Sequence, residues 1–513
     1  MMRFSDLPEL TYEVVKYFQN DVSTLRSCIL VNRLWCRIAI PILWENPFSI
    51  IAEKYKFIDI YLLSANDDLK AKLKENKFIS NSLPSNTLFN YPKFLKCLDT
   101  YKFFISFKIW FEAAIIKTPE ITRNFSIKAL SDFEKSTNIS LFKIFIENEV
   151  KLHRLEIQIS GDSYNAYLCN ILEIISQNIN FIHDIKILSF YIFNEDTLFK
   201  NHVSKIIDLH QNSKRLSFCY DNLPLYKPLL LSKDSNCSNT LNTIIFYQID
   251  LHFLVNNNIF EQLNGLESVH ILYCRSLNFG FVQHFINLNK RLKLKTLFIS
   301  EISQIETLQI LLQEFGNHLE NFEYDLLINH NLSLKQQLLE LIIRYCKNIK
   351  FLNIFGFENQ VITSLIFNLI ENNKQLKYLS IKKLSDDDIE CGSFILQNLG
   401  QILPSKFEYL SLTLAIKEKD FRVFLEHSKN TFINKLLIIQ KDADNDILKC
   451  IKEIIMKERR IKYLGIKDAN NRDLSNSKDD VRKFKLHNIS VRNFNDLFLA
   501  NHCYDFVTNI DNL

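Results

Sequence analysis

Apolar residues recur along most of this chain in a strand-like phrase that alternates with helix-like stretches. Between Leu152 and Leu486 the phrase is an aliphatic residue, two variable positions, an aliphatic or aromatic residue, one variable position and another apolar residue, as in Leu376, Leu379 and Ile381. Its thirteen central residues are Leu155, Leu188, Leu216, Ile244, Val269, Leu297, Phe322, Leu352, Leu379, Leu410, Leu436, Leu464 and Phe484. Stretches with helical periodicity follow at 168–175, 203–209, 281–288, 305–315, 334–345, 361–370, 394–403 and 447–456. The pattern predicts a repeated unit of one strand and one helix.

The spacing of the central residues averages about 27, inside the 20–29 range of leucine-rich repeats. Such units bury their apolar faces only by stacking on copies of themselves. We therefore expect an α/β fold in which residues 151–513 form a leucine-rich-repeat solenoid, a horseshoe with parallel strands on the concave face and helices outside. Two polar interruptions, 232–240 and 468–480, are expected to be surface loops because they lack periodicity.

Residues 1–48 show a compact helical pattern, in which Val14, Val15 and Phe18 recur at helical spacing. Asp21 is a candidate cap for a second helix, and Pro41 is expected to end a third. Residues 49–150 are less regular, with helices expected over 50–63 and 95–116. The second of these is strongly aromatic, with Phe103, Phe104, Phe107, Trp110 and Phe111, and we expect it to pack inward and to cap the solenoid.

Composition excludes several classes of function. Glycine occurs only 8 times in 513 residues, which argues against phosphate-cradling loops. The net charge of +4 provides no global field for nucleic acid or an anionic membrane. No apolar run approaches the length of a bilayer span, and the first residues do not resemble a signal peptide. The 11 cysteines show no paired spacing and suit reduced thiols, so a cytoplasmic or nuclear protein is expected.

No motif of an enzyme is present. The sequence lacks a Gly-rich loop ending in Gly-Lys-Ser/Thr, a His-Glu-x-x-His, a Gly-x-Ser-x-Gly and a Cys-x-x-Cys. Asp386, Asp387 and Asp388 suit a helix N-terminus better than a metal site. His502 and Cys503 have no third partner. We therefore expect no catalytic residues, no metal and no cofactor.

The segment from Leu7 to Phe48 combines apolar residues with short motifs, namely Leu7, Pro8, Glu13, Val14, Val15, Phe18, Leu25, Cys28, Val31, Asn32, Arg33, Trp35, Ala39, Pro41, Ile42, Leu43 and Trp44. With these residues the segment resembles an F-box. That element usually has Leu-Pro where this chain has Leu10-Thr11, and a cysteine where it has Asn32. An F-box followed by leucine-rich repeats is typical of substrate receptors of the Skp–cullin–F-box (SCF) ubiquitin ligases.

The resemblance implies that the F-box docks to the Skp adaptor, and through it to a cullin, while the repeats hold a protein substrate for ubiquitination. The expected adaptor-binding residues are Leu7, Pro8, Leu10, Val14, Val15 and Phe18. An open apolar face on so short a segment needs a partner to cover it. The alternative is that some of these residues only pack within the segment, and that the chain is an interaction scaffold outside any ubiquitin ligase.

Residues that alternate with the buried strand positions are expected on the concave face. Phe351, Tyr378, Tyr409 and Tyr463 each precede a central residue, so they should form a row that Lys435 interrupts. Exposed aromatic residues are frequent anchors for a protein partner, which makes these four the expected substrate-binding residues. The alternative is that neighbouring rings cover one another and bind nothing.

Overall fold

The computed structural model describes residues 8–19, 21–49, 55–79, 87–118, 121, 125–159, 162–192, 197–209, 213–219, 237–255, 260, 263–288, 292–300, 304–324, 331–355, 359–382, 389–441, 447–458, 460–499 and 507. Within these residues the chain is an α/β protein with one open, all-parallel sheet of fourteen strands, β1 to β14 in chain order. The strands are β1 Cys97–Asp99, β2 Arg154–Ile159, β3 Ile187–Ile192, β4 Arg215–Cys219, β5 Thr243–Tyr247, β6 Ser268–Leu272, β7 Lys293–Ile299, β8 Asn321–Tyr324, β9 Phe351–Phe355, β10 Tyr378–Lys382, β11 Lys406–Leu414, β12 Phe432–Gln440, β13 Ile461–Lys467 and β14 Ser490–Val491.

Helices connect the strands, as a parallel sheet requires. Short 3₁₀ turns add Pro47–Ser49, Tyr91–Phe94, Gly316–His318 and Leu474–Asn476. The α-helices are Pro8–Lys16, Val22–Ile29, Arg33–Trp44, Tyr55–Leu62, Asp67–Glu75, Thr100–Lys117, Ile127–Glu147, Asp162–Gln177, Ile179–Ile182, Thr197–Leu209, Cys237–Thr240, His252–Val255, Phe279–Ile286, Ile305–Phe315, Leu332–Tyr345, Gln360–Asn372, Ile389–Ile402, Glu418–His427, Ile447–Glu458, Lys478–Leu486 and Phe494–Leu497. Within the described ranges, no helix combines the length and apolar character needed to cross a lipid bilayer.

The repeat period predicts the sheet well. Twelve of the thirteen central residues lie in strands β2 to β13, and all eight helical stretches lie in or overlap helices. Leu352, Leu379 and Leu410 are direct neighbours across β9, β10 and β11, and each is buried. The phrase thus marks one apolar ladder, the inward face of successive strands.

The prediction that the thirteenth central residue lies in a strand is wrong. Phe484 lies in the helix Lys478–Leu486, and the last strand is β14 instead. Val481, Phe484 and Leu486 match the strand phrase, but only Phe484 is fully buried and Leu486 is 75% exposed. The segment begins with Asp479 and Asp480 and ends with basic residues, an arrangement that stabilises the helix dipole. The loop predicted at 468–480 is therefore shorter than expected, because its last three residues already belong to the helix that begins at Lys478.

The sheet also begins earlier than expected, because β1 pairs in parallel with β2. The helix that follows β1 buries its aromatic residues, as the sequence indicates. Phe103, Phe107 and Phe111 are buried, and Trp110 donates a hydrogen bond to Asp59 (2.8 Å). The long helix Ile127–Glu147 was not anticipated from the sequence.

Pro41 does not end the third helix, which continues to Trp44. A proline in a helix removes one main-chain hydrogen bond. Here Pro41 stands in the last turn, and Ala39, Ile42 and Trp44 around it are buried. Burial of this apolar face favours the helical path over the local preference of proline.

The chain divides into two compact units. The first comprises residues 1–244 with 262–266, and the second 245–261 with 267–513. The N-terminal helices and β1 to β4 belong to the first unit, whereas β6 to β14 belong to the second. The candidate adaptor-binding residues and the candidate substrate-binding residues are therefore in different units.

Candidate protein-binding surfaces

The three N-terminal helices are fixed by side-chain caps and a small core. Asp21 accepts a hydrogen bond from the Thr24 amide (3.1 Å), and Asn32 accepts one from the Trp35 amide (3.0 Å). These bonds satisfy amides that a helix start leaves unpaired, and the Asp21 cap is as predicted. The core contains Val15, Leu25, Cys28, Ala39 and Ile42, against which Phe18, Ile29, Trp35, Ile38 and Leu43 pack.

The structure separates the expected adaptor-binding residues into two groups. Pro8, Leu10 and Val14 are exposed on the first helix, Leu10 by 47% and Val14 by 38%. Val15 is fully buried and Phe18 packs on the same core, so these two side chains hold the helices together and Val15 offers no surface to a partner. Leu7 lies outside the described residues.

Sequence reasoning missed other exposed apolar residues on these helices. Tyr17 is 85% exposed, and it follows Leu10 and Val14 at the i, i+4, i+7 spacing of one helix stripe. We call Leu10, Val14 and Tyr17 the apolar stripe. Tyr12 on the same helix is exposed, as are Leu30 and Val31 after the second helix. The spacing of Leu10, Val14 and Tyr17 was the available signal, but it runs beside the buried stripe of Thr11, Val15 and Phe18.

The end of the third helix is bound to the residues that follow. The carbonyl of Glu45 accepts hydrogen bonds from the amides of Lys96 (2.9 Å) and Cys97 (3.0 Å), next to β1. The Trp44 ring packs on Tyr61 (5.1 Å between centroids) and Tyr91 (4.3 Å). Burial raises the pKa of the Glu45 carboxyl. The three helices are therefore anchored at their C-terminal end, while the first helix keeps its stripe exposed.

The four expected substrate-binding residues do form a row. Phe351 is paired with Tyr378, and Tyr378 with Tyr409, across β9, β10 and β11. Lys435 of β12 follows Tyr409, and Tyr463 of β13 follows Lys435. We call these five residues the aromatic row. They alternate with buried leucines, so the row lies on the sheet face opposite the leucine ladder.

Most of the aromatic row is not open to solvent. Phe351 is 3% exposed and Tyr409 1%, whereas Tyr378 and Tyr463 are half-buried. Adjacent rings contact each other, with 6.3 Å between the centroids of Phe351 and Tyr378 and 6.4 Å between those of Tyr378 and Tyr409. Burial raises the pKa of Tyr378 to about 12 and lowers the pKa of Lys435. Phe351 and Tyr409 are thus closed to a partner in this conformation.

A later part of the same chain packs over the aromatic row. We call Phe494–Leu499 the covering segment. Phe494 forms a cluster with Tyr409 and Leu437, and Leu497, Phe498 and Leu499 pack against that cluster. The Leu499 amide donates a hydrogen bond to the Tyr409 hydroxyl oxygen (3.2 Å), and Lys467 donates one to the Asn495 side chain (3.0 Å). The sequence period gave no signal of this contact, because the covering segment is not part of a repeat.

Polar residues continue the same face towards β6. Thr296 Oγ1 lies 2.8 Å from His270 Nδ1 and accepts a hydrogen bond from the side-chain amide nitrogen of Asn321 (2.9 Å). Tyr273 donates to the Glu323 carboxylate (2.6 Å). Asn353 is fully buried, and its side-chain amide has no hydrogen-bond partner among the residues that the structure describes. His270, Asn321, Glu323 and Asn353 alternate with the central residues, yet all four are buried.

Among the residues that the structure describes, no three histidine, cysteine or acidic side chains converge as metal ligands do. Burial raises the pKa of the Cys97 thiol to about 11 and that of the Cys346 thiol to about 12. Asp386–Asp388, His502 and Cys503 lie outside the described residues. Comparison with known proteins adds no identity, since no family profile matches this sequence and neither does any curated protein.

Proposed function

We propose that this protein is the substrate receptor of an SCF-type ubiquitin ligase, a non-catalytic subunit. Its three N-terminal helices act as an F-box that docks to the Skp adaptor, and its repeats act as leucine-rich repeats that hold a protein substrate. Such a receptor works in the cytoplasm or the nucleus, with a cullin reached through the adaptor.

The observation that carries the proposal is the exposed apolar stripe of the first helix. Leu10, Val14 and Tyr17 are exposed although the helix already buries Thr11 and Val15 on its other side. A helix with one apolar side in a core and another in solvent is suited to a partner that covers the second side. In the F-box resemblance, this helix is the adaptor-binding element.

The anchoring of the third helix also supports the proposal. A receptor must hold its substrate at a fixed position relative to the ligase. The hydrogen bonds from Lys96 and Cys97 to Glu45 join the helices to β1, the first strand of the sheet. Within the first unit, the helices are therefore held to the sheet by main-chain hydrogen bonds.

Adaptor binding tests the proposal. We expect the double variant Leu10→Glu/Val14→Glu to lose binding to a purified Skp adaptor, measured by calorimetry with the full chain. Burying two unpaired carboxylates at an interface costs several kcal/mol, enough to remove a micromolar complex. Val15 is left unchanged, so the core of the three helices is kept.

The matched control is Leu332→Glu/Val361→Glu, which replaces a leucine and a valine of similar exposure (42% and 55%) on other helices. This control should bind the adaptor as the unmodified chain does. Retained binding by a folded Leu10→Glu/Val14→Glu chain would refute docking through the stripe. An unmodified chain that does not bind the adaptor would favour the alternative, an interaction scaffold outside the ligase.

A further inference from the structure

We propose that the covering segment, Phe494–Leu499, is an internal ligand that occupies the site of a partner peptide. The partner would present one helical turn with a phenylalanine, then a leucine and a second aromatic residue three and four positions later. The inference deepens the proposed function, because it rests on the sheet being a protein-binding surface and names the chemistry that this surface takes.

The covering segment has the form of a short docking peptide. Asn493 accepts a hydrogen bond from the Asn495 amide (3.0 Å) and so begins the turn Phe494–Leu497. Phe494, Leu497 and Phe498 stand at i, i+3 and i+4, the spacing that places anchors on one side of a helix. The rings of Phe494 and Phe498 lie 5.2 Å apart. Asn495 and Asp496, between the anchors, are exposed.

The receiving surface is shaped for this turn. Phe494 is 1% exposed and packs with Leu437 of β12 and Tyr409 of β11. Gly465 of β13 allows the close approach, since a Cβ there would lie 3.3 Å from Phe494 Cα and 3.4 Å from Leu497 Cδ1. The Lys467 ammonium lies 5.3 Å from the centre of the Phe494 ring. The turn therefore crosses three strands of one sheet face.

The covering segment does not extend the sheet. β14 already pairs with Tyr463 and Leu464 of β13 before the chain turns back over the strands. The Phe494 amide donates a hydrogen bond to Asp473 (2.8 Å), Asn495 accepts one from Lys467 (3.0 Å), and the Leu499 amide donates one to the Tyr409 hydroxyl oxygen (3.2 Å). Leu497, Phe498 and Leu499 are half-buried. A half-buried segment of this kind belongs to the part of a structure that opens more readily than the core strands.

A labelled peptide of residues 490–499 tests the proposal by fluorescence anisotropy. The unmodified chain should exclude the peptide, whereas a Phe494→Ala/Leu497→Ala chain should bind it at least tenfold more tightly. Adding Tyr409→Phe should weaken that binding about fivefold, because one hydrogen bond to the peptide is lost. A peptide with alanine in place of its phenylalanine and leucine should not bind. Leu486→Ala, an exposed change just before β14, should leave the peptide excluded.

A folded Phe494→Ala/Leu497→Ala chain that binds the peptide no more tightly than the unmodified chain overturns the proposal. If this variant fails to fold, hydrogen exchange of the unmodified chain decides. The Leu499 amide should exchange at least a hundredfold faster than the amides of β12, and equal rates mean that the covering segment is part of the core. Adaptor binding should be the same with and without the covering-segment changes, so failure here is distinct from failure of the docking proposal.

Discussion

Tyr17, directly after the first helix, is 85% exposed, whereas Tyr409 in the aromatic row is 1% exposed. Both residues belong to regions in which the sequence favours protein binding, and a fully buried aliphatic residue lies within two positions of each, Val15 before Tyr17 and Leu410 after Tyr409. The N-terminal helices leave their second apolar side open, while the aromatic row is closed by its own rings and by the covering segment. An apolar surface that stays open needs a partner in trans, and one that is closed in cis needs a partner able to displace the cover.

We expect the largest difference in the free energy of unfolding between substitutions of two adjacent valines of the first helix. Val15→Asp should lower the free energy of unfolding of the N-terminal helices by about 4 kcal/mol, because it places an unpaired carboxylate in the core. Val14→Asp should change it by less than about 0.5 kcal/mol, since Val14 is exposed. Chemical denaturation followed by far-UV circular dichroism measures both. Equal effects would show that the first helix does not have one open and one buried side.

A second pair tests the closed region. Tyr409→Ala should destabilise the second unit by about 3–5 kcal/mol, as expected for truncation of a fully buried aromatic ring. Tyr463→Ala should cost about 1–2 kcal/mol, because that ring is half-buried. Thermal unfolding of the two variants gives the comparison. A smaller loss at Tyr409 than at Tyr463 would contradict the closed state of the row.

Alkaline pH should weaken the aromatic row through Tyr378. Burial raises the pKa of this phenol to about 12, so the folded chain holds its proton more tightly than the unfolded chain does. The contribution of this phenol to the free energy of unfolding is fully present below the ordinary tyrosine pKa near 10, and it is lost as pH rises through about 12. Between pH 9 and pH 12 the unmodified chain should therefore lose about 1–2 kcal/mol more than Tyr378→Phe. Denaturant titrations at both pH values measure this difference, and parallel losses would contradict it.

Much of the fold follows from period alone. Leu352, Leu379 and Leu410 follow one another at intervals of 27 and 31 residues, and stacking of like units satisfies such a pattern, so the strands and the alignment of the aromatic row are predictable. Phe484 shows the limit of the phrase. Its spacing to Val481 suits both a strand phrase and a helix, and the charges at the two ends of the segment decide for the helix.

The state of the candidate surfaces was less predictable. Val14 and Val15 are chemically identical neighbours, and only the packing of three helices determines which of them is buried. Tyr409 is covered in part by Leu499, which lies 90 residues later in the chain. A contact of this kind between distant segments has no period, so the local sequence pattern does not predict it. The sequence predicts where the aromatic row lies but not that the covering segment packs on it.

Hydroxyl-radical footprinting of the full chain, with and without the Skp adaptor, tests the account most directly. Alone, the chain should be modified strongly at Tyr17 and Leu10 and very little at Tyr409, in the order of their exposure. The adaptor should protect the apolar stripe of the first helix and leave the covering segment unchanged. Protection of the covering segment instead of the stripe, or no protection at all from a saturating adaptor, would contradict the proposal that this protein docks through its N-terminal helices.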